Sequence, residues 1–205
     1  MSQADTDVAN IALDLLKEGI ITSFDDDRPA GRWMKRNYSV VRDMTLSANP
    51  WRFAVQRFKL PANSEAPTFG YKFSYAKPDG CLRVMPLRYL GQTNGALIRY
   101  SVEGNIILCD ANAPLLARCI LRVVDASMFS PLFIDAFTTS MAMRLANWLT
   151  GKEGIIAGLK ASYKEAMTLA MFTDSAEGYA EDQVADQYDN VRFTNNSPIR
   201  YPGSY

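Results

Sequence analysis

The chain has 205 residues, with 22 basic side chains, 22 acidic side chains and no histidine, so its formal net charge is zero. A neutral chain has no overall positive field with which to hold nucleic acid or an anionic membrane. The lack of histidine excludes Ser-His-Asp and Cys-His catalysis, histidine metal sites and imidazole bases. Apolar residues make up 48% of the chain, which is ordinary for a globular protein.

Neither a signal peptide nor a membrane span is expected. Residues 1–17 carry three aspartates and lack a basic stretch followed by an apolar one, and no run of 18 apolar residues occurs. The three cysteines, Cys81, Cys109 and Cys119, lie in apolar, strand-like sequence without CxxC spacing. This pattern favours buried, reduced thiols in a protein made in the cytoplasm.

Two helices are predicted in the first 50 residues. The first covers 4–18, where apolar residues recur at helical spacing, and Gly19 is its expected end. A turn-rich loop over 20–29 follows. The second helix covers 30–48 and ends before Pro50, because the residue preceding a proline is pushed away from helical geometry. Its predicted apolar stripe is Trp33, Asn37, Val40, Val41, Met44 and Ala48.

The middle of the chain, 51–125, changes to the two-residue period of antiparallel strands. The predicted strands are 69–75, 81–87, 96–102, 105–109 and 115–124. The strand over 81–87 is expected either to lie at a sheet edge or to end near Pro86. Residues 77–80 have the composition of a turn, and Glu103-Gly104 is expected to connect a hairpin.

Helical periodicity returns after residue 125. Ser130-Pro131 is a helix start, and helices are predicted over about 130–149 and 154–172. The acidic segment 174–189 then holds six acids and no base, and a polar stretch with scattered aromatic residues follows it. The predicted fold class is α+β, a helical core of about four helices with an inserted antiparallel β region and an extended C-terminal arm. Its predicted segments are 1–50, 51–125, 126–187 and 188–205.

No set of residues in the sequence has the pattern of a catalytic, cofactor or metal site. The aspartates at 25–27 lack the spacing of a calcium loop, and 91–95 lacks the lysine of a phosphate-binding loop. The basic segment 28–59 holds eight bases and one acid. It could meet nucleic acid, an acidic protein surface or the acidic segment of a neighbouring subunit.

Four motifs, taken in order, resemble the tail tubular protein A family, the head-to-tail adaptor subunits of short-tailed bacteriophages. The first motif consists of YSVVRD at 38–43 followed by NPWRFA at 49–54. The others are FSYAKPDGCLRV at 73–84, YSVEGNIIL at 100–108 and FSPLFIDAF at 129–137. The resemblance covers about residues 8–170, and Gly80 departs from the family pattern in the second motif.

The resemblance implies a structural virion protein and not an enzyme, with no cofactor and no membrane. Such adaptors form a ring, usually of twelve subunits, that joins the portal to the tail nozzle or tail fibre proteins. The ring extends the DNA channel used in genome retention and ejection, and DNA passes through it without sequence-specific binding. The β region would face the tail, and the arm would contact the portal or a neighbouring subunit. The arm residues expected to bind are Arg192, Phe193, Ile199, Arg200, Tyr201 and Tyr205.

Two other functions stay open from the sequence. A DNA-binding module would use the basic segment 28–59, and its affinity for duplex DNA would fall steeply with salt. A small enzyme, such as a carboxylate hydrolase, would need a deep pocket that holds acids of raised pKa.

Overall fold

Two helices precede six strands and two helices follow them in the computed structural model, which describes residues 2–89, 96–149 and 151–176. The helices are α1 (Gln3–Asp14), α2 (Pro29–Ala48), α3 (Pro131–Leu149) and α4 (Glu153–Ala176). The strands are β1 (Val55–Leu60), β2 (Phe73–Ala76), β3 (Cys81–Val84), β4 (Tyr100–Glu103), β5 (Ile106–Cys109) and β6 (Leu115–Leu121). The α+β class with about four helices is confirmed. The division into four segments stays a prediction, and the arm over 188–205 lies outside the described residues.

Local capping explains where these helices begin and end. Ser2 and Asp5 form a capping box at the start of α1, and the Ser130 hydroxyl accepts the Phe133 N–H at 3.3 Å at the start of α3. The predicted end of α1 at Gly19 is wrong. Lys17 adopts φ 56°, and the Glu18 N–H reaches back to the Leu13 carbonyl at 3.1 Å. This Schellman geometry ends the helix without a glycine.

The strands form two antiparallel sheets of three strands each. The first sheet has the order β1-β6-β3, and the second has the order β2-β5-β4. The predicted edge position of the strand that begins at Cys81 is therefore confirmed. The hairpin is confirmed as well, because β4 and β5 pair across a tight turn in which Gly104 has φ 56°.

Two apolar cores meet at the central strand of the first sheet. Leu115, Ala117 and Cys119 of β6 lie in a core shared by the two sheets, whereas Ile120 lies in the helical core. Neighbouring side chains of a strand point to opposite faces, so one strand contributes to both cores. β6 thereby joins the β region to the helices.

An aromatic cluster holds the chain where it enters and leaves the strands. Trp51 and Phe53 lie just before β1, and Phe129 lies just before α3. The Phe133 ring of α3 packs at 4.8–5.2 Å, centroid to centroid, against all three of these rings. The buried Trp51 indole donates a hydrogen bond to the Thr45 carbonyl at 2.9 Å. Edge-to-face packing of this kind adds about 0.5–1.5 kcal/mol per pair beyond area burial.

Several predicted faces and strand limits are wrong. Trp33 and Val41 of the predicted α2 stripe are buried, but Val40, Met44 and Ala48 are exposed. The helix buries Met34, Tyr38 and Thr45 as well. Apolar residues occur on both sides of α2, and the bulky Trp33 and Tyr38 decide which side faces the core. Phe69 is 86% exposed, so the strand predicted over 69–75 begins only at Phe73. The remaining predicted strands are shorter in the structure, and β1 was not predicted at all.

A close backbone approach at Gly31 provides a test of the packing between the 20–28 loop and α2. A Cβ atom at Gly31 would lie 2.5 Å from the Asp26 carbonyl oxygen, whereas one at Gly158 in α4 would meet nothing within 4 Å. We expect Gly31→Ala to lower the free energy of unfolding by about 1–3 kcal/mol, since backbone must move.

The matched control is Gly158→Ala, which we expect to raise the free energy of unfolding by up to about 1 kcal/mol because alanine favours helix. Urea denaturation of both variants measures the difference. Equal effects at the two positions would contradict the close approach at Gly31.

Candidate interaction surfaces

Four bases of the basic segment 28–59 form ion pairs within the chain. Asp25 binds Lys35 at 2.7 Å, Asp26 binds Arg28 at 2.7 Å and Asp27 binds Arg32 at 3.3 Å. The hydrogen bonds from Arg28 lower the pKa of Asp26 to about 2, and the Lys35 ammonium lowers that of Asp25. The aspartates at 25–27 thus neutralise the start of α2, which reduces the positive charge available to an external anion.

The fourth pair lies at the junction of α2 with β6. Arg42 is 6% exposed and donates two hydrogen bonds, at 3.0 and 2.9 Å, to one carboxylate oxygen of Asp43. The second oxygen of Asp43 accepts a hydrogen bond from Arg122 Nε at 2.7 Å. The Arg-Asp pair of the first motif therefore ties α2 to the residue that follows β6.

Three arginines line a cleft of about 400 Å³ on the outer face of the first sheet. Arg57 of β1 lies directly opposite Arg118 of β6, and Arg52 precedes β1. We call this feature the arginine cleft; its other lining residues are Pro50, Val55, Met85, Asp174 and Ser175. Val55 and Ile120, which pair next to Arg57 and Arg118, pack in the helical core. The cleft therefore begins just beyond the part of the sheet that the helical core covers.

The end of α4 contacts the arginine cleft. The backbone N–H of Arg52 donates to a carboxylate oxygen of Asp174 at 3.1 Å, and Arg52 Nε donates to the Asp174 carbonyl at 3.1 Å. The sequence suggested that the basic and acidic segments meet between subunits. At Asp174, the first residue of the acidic segment, they meet within one chain. The rest of that segment after Ala176 lies outside the described residues.

Helix α4 buries little of its surface for its length. Of its 24 residues, Ala166 and Ala170 are buried, and the apolar side chains of Ile155 and Leu169 are 45% and 52% exposed. Phe172 is 72% exposed and lies beside Leu169 in a shallow depression. We call Leu169 and Phe172 the α4 apolar patch.

A second apolar feature lies near the other end of α4. A pocket of about 330 Å³ is formed by the ends of α1 and α3 and the start of α4. Its apolar lining consists of Leu15, Leu16, Ala146, Leu149 and Ile155. We call it the helix-end pocket. Ile155 and Leu169 are 14 positions apart on α4, which corresponds to about 20 Å at the helical rise of 1.5 Å per residue.

Two cysteines and three aspartates in the described part of the chain have shifted pKa values. Cys81, Cys109 and Cys119 are buried and free, which confirms their predicted burial. Burial raises the pKa of Cys109 and, with the neighbouring Cys81, that of Cys119 to about 12. Hydrogen bonds lower the pKa of three carboxyl groups, those of Asp25, Asp26 and Asp125. Within the described ranges, no group of three or more metal-binding side chains is close enough to hold an ion.

The six predicted binding residues of the arm, Arg192, Phe193, Ile199, Arg200, Tyr201 and Tyr205, lie outside the described residues. None of the described helices has both the length and the hydropathy needed to cross a bilayer. No family model matches the sequence, and no curated protein matches it either.

Sequence reasoning did not find the arginine cleft. Its three arginines come from a turn and two strands, and the contact between Arg52 and Asp174 joins residues 122 positions apart. The available signal was the pair of arginines in 52–57, but only the register of β1 against β6 places Arg57 opposite Arg118.

The Arg42–Asp43–Arg122 network is testable because its two ion pairs differ in burial. We expect Asp43→Ala to lower the free energy of unfolding by about 3 kcal/mol, because it leaves the buried Arg42 guanidinium without its carboxylate. Arg122 has a side chain that is 48% exposed, so Arg122→Gln should cost about 1 kcal/mol or less. Chemical denaturation of both variants at neutral pH measures these costs; similar costs would contradict the assignment of Asp43 as the partner of a buried charge.

Proposed function

We propose that this protein is a subunit of a head-to-tail adaptor ring of a short-tailed bacteriophage. In this role it joins the portal to the tail nozzle and continues the DNA channel, and it acts structurally and not as an enzyme. The proposal rests on the resemblance of the four motifs to the tail tubular protein A family. The observation that adds most support is the exposed apolar surface of α4, which a ring would cover with the next subunit.

The motif residues fit this proposal through the fold. Arg42 and Asp43 tie α2 to β6, and Trp51, Phe129 and Phe133 belong to the aromatic cluster. The first and fourth motifs thus occupy the joints between the helices and the β region, whereas the second and third lie in β2–β3 and in the β4–β5 hairpin. A chain with these residues in this order can make the same contacts between its helices and its β region. The resemblance therefore supports a common architecture.

A ring requires two different surfaces on each subunit, one for each neighbour. The α4 apolar patch and the helix-end pocket are separate apolar features about 20 Å apart along α4. We propose that the patch of one subunit packs into the pocket of the next. The apolar side chains supply the affinity of this interface, and charged groups around it set register and encounter rate.

This interface predicts the outcome of two charge insertions. Phe172→Glu removes the patch and Ile155→Glu blocks the pocket, and each should abolish ring assembly on the portal protein encoded by the same genome. Because each variant keeps one intact surface, an equal mixture should form heterodimers without closing a ring. Native mass spectrometry measures the species formed.

The matched control is Val102→Glu, at a 41% exposed apolar position of β4 in the second sheet. We expect it to leave ring assembly unchanged. Rings formed by Phe172→Glu, or a mixture that behaves like either variant alone, would contradict the proposed interface.

The arm is the proposed contact to the portal. Deletion of 190–205 should leave the fold intact, since a polar tail contributes no core of its own, and should abolish binding to the portal protein. Circular dichroism checks the fold, and co-purification with the portal protein measures binding. Unchanged binding would show that the arm is not the portal contact.

DNA binding by the basic segment is the competing function. Arg28, Arg32, Lys35 and Arg42 each pair with an aspartate of the same chain, which leaves fewer positive charges for phosphates. Affinity for duplex DNA that falls steeply with salt would favour this function over the adaptor.

A further inference from the structure

We propose that the arginine cleft is the docking site of residues 177–189 of the same chain. This part of the acidic segment carries Glu177, Glu181, Asp182, Asp186 and Asp189 and no base. The cleft is lined by Arg57 and Arg118 on one sheet face and by Arg52 in the turn before β1, and its one acidic lining residue is Asp174. The charges of the two partners are therefore complementary.

Chain continuity favours docking within one subunit. Asp174 and Ser175 already line the cleft, so Glu177 begins two residues beyond its rim. An extended chain advances about 3.3–3.6 Å per residue, which allows Glu181 and Asp182 to reach any part of a cleft of this size. A tethered segment this short has an effective concentration in the millimolar range, far above that of a free competitor.

The sheet register provides a second reason for an anionic occupant. Arg57 and Arg118 lie opposite each other in an antiparallel pair, where Cα atoms are about 4.5–5.5 Å apart. A guanidinium group has five N–H donors, so a carboxylate placed here adds to the interaction that Arg118 already makes. Guanidinium groups also match carboxylates in geometry, since they donate two parallel hydrogen bonds.

The contact between Arg52 and Asp174 shows how docking begins. Arg52 already holds both the side chain and the backbone carbonyl of Asp174, which directs the end of α4 toward the cleft. Docking of 177–189 would extend this contact along the sheet. It would also fix the position from which residues 190–205 of the arm extend, because residue 190 follows directly. The inference does not rest on the proposed ring.

Carboxyl-to-amine cross-linking of the full-length Arg57→Lys variant tests this docking. The substitution keeps the positive charge at an exposed position of an edge strand and supplies an amine in the cleft. Lys59 is the internal control, because it lies two residues away on the same sheet face but does not line the cleft. A carbodiimide joins amines to carboxylates only when the two groups are in contact.

We expect cross-links from the introduced lysine to Glu177, Glu181 or Asp182 at a yield at least about fivefold above those from Lys59. The yield should fall severalfold between about 50 mM and 500 mM salt, as the screening length shortens to a few ångströms. Mixing isotope-labelled with unlabelled protein before the reaction shows whether both peptides come from one chain.

Cross-linked peptides of a single isotope would support docking within the chain. Peptides of mixed isotope would overturn it and assign the cleft to the acidic segment of a second copy. A yield equal to that of Lys59, or one independent of salt, would also overturn it. Ring assembly on the portal is measured in a separate experiment. Failure of this docking is therefore distinguishable from failure of the adaptor proposal.

Discussion

The rest of the structure depends on the packing of α3 against the two ends of the β region. Phe133 packs against Trp51 and Phe53, where the chain leaves the helices, and against Phe129, where it returns. With both ends held, six strands can be accommodated between α2 and α3 while the helices keep one core. β6 completes the joint, because Ile120 enters the helical core and Cys119 enters the core between the sheets.

The sequence predicted well those features that depend on local chemistry. Ser130-Pro131 marked the start of α3, Pro50 marked the end of α2, and Glu103-Gly104 marked the hairpin. It predicted poorly the features that tertiary contacts decide. β1 was missed because its outer face carries Arg57 and Lys59, so its apolar alternation is broken. The buried side of α2 was misjudged at Val40 and Met44 because packing of Trp33 and Tyr38 against the core outweighs simple periodicity. The arginine cleft could not be predicted, since it arises from strand register and a contact between distant residues.

The distribution of charge and apolar surface is consistent with a protein that assembles. Ion pairs within the chain neutralise the start of α2, so the basic segment offers less positive charge than its composition indicates. The exposed apolar side chains of α4 remain, together with the helix-end pocket. In the proposed ring these two features meet between neighbours, while the acidic segment docks on the sheet of its own subunit. The two proposed contacts therefore differ in chemistry. The contact between subunits buries apolar side chains, whereas the contact within each subunit pairs opposite charges.

Cryo-electron microscopy of this chain bound to the portal protein of the same genome tests the central proposal most directly. We expect a ring of about twelve subunits seated on the portal, with an open channel and α4 at the contact between neighbours. A closed dimer with an enclosed pocket, or a portal that carries no ring of this chain, would contradict it.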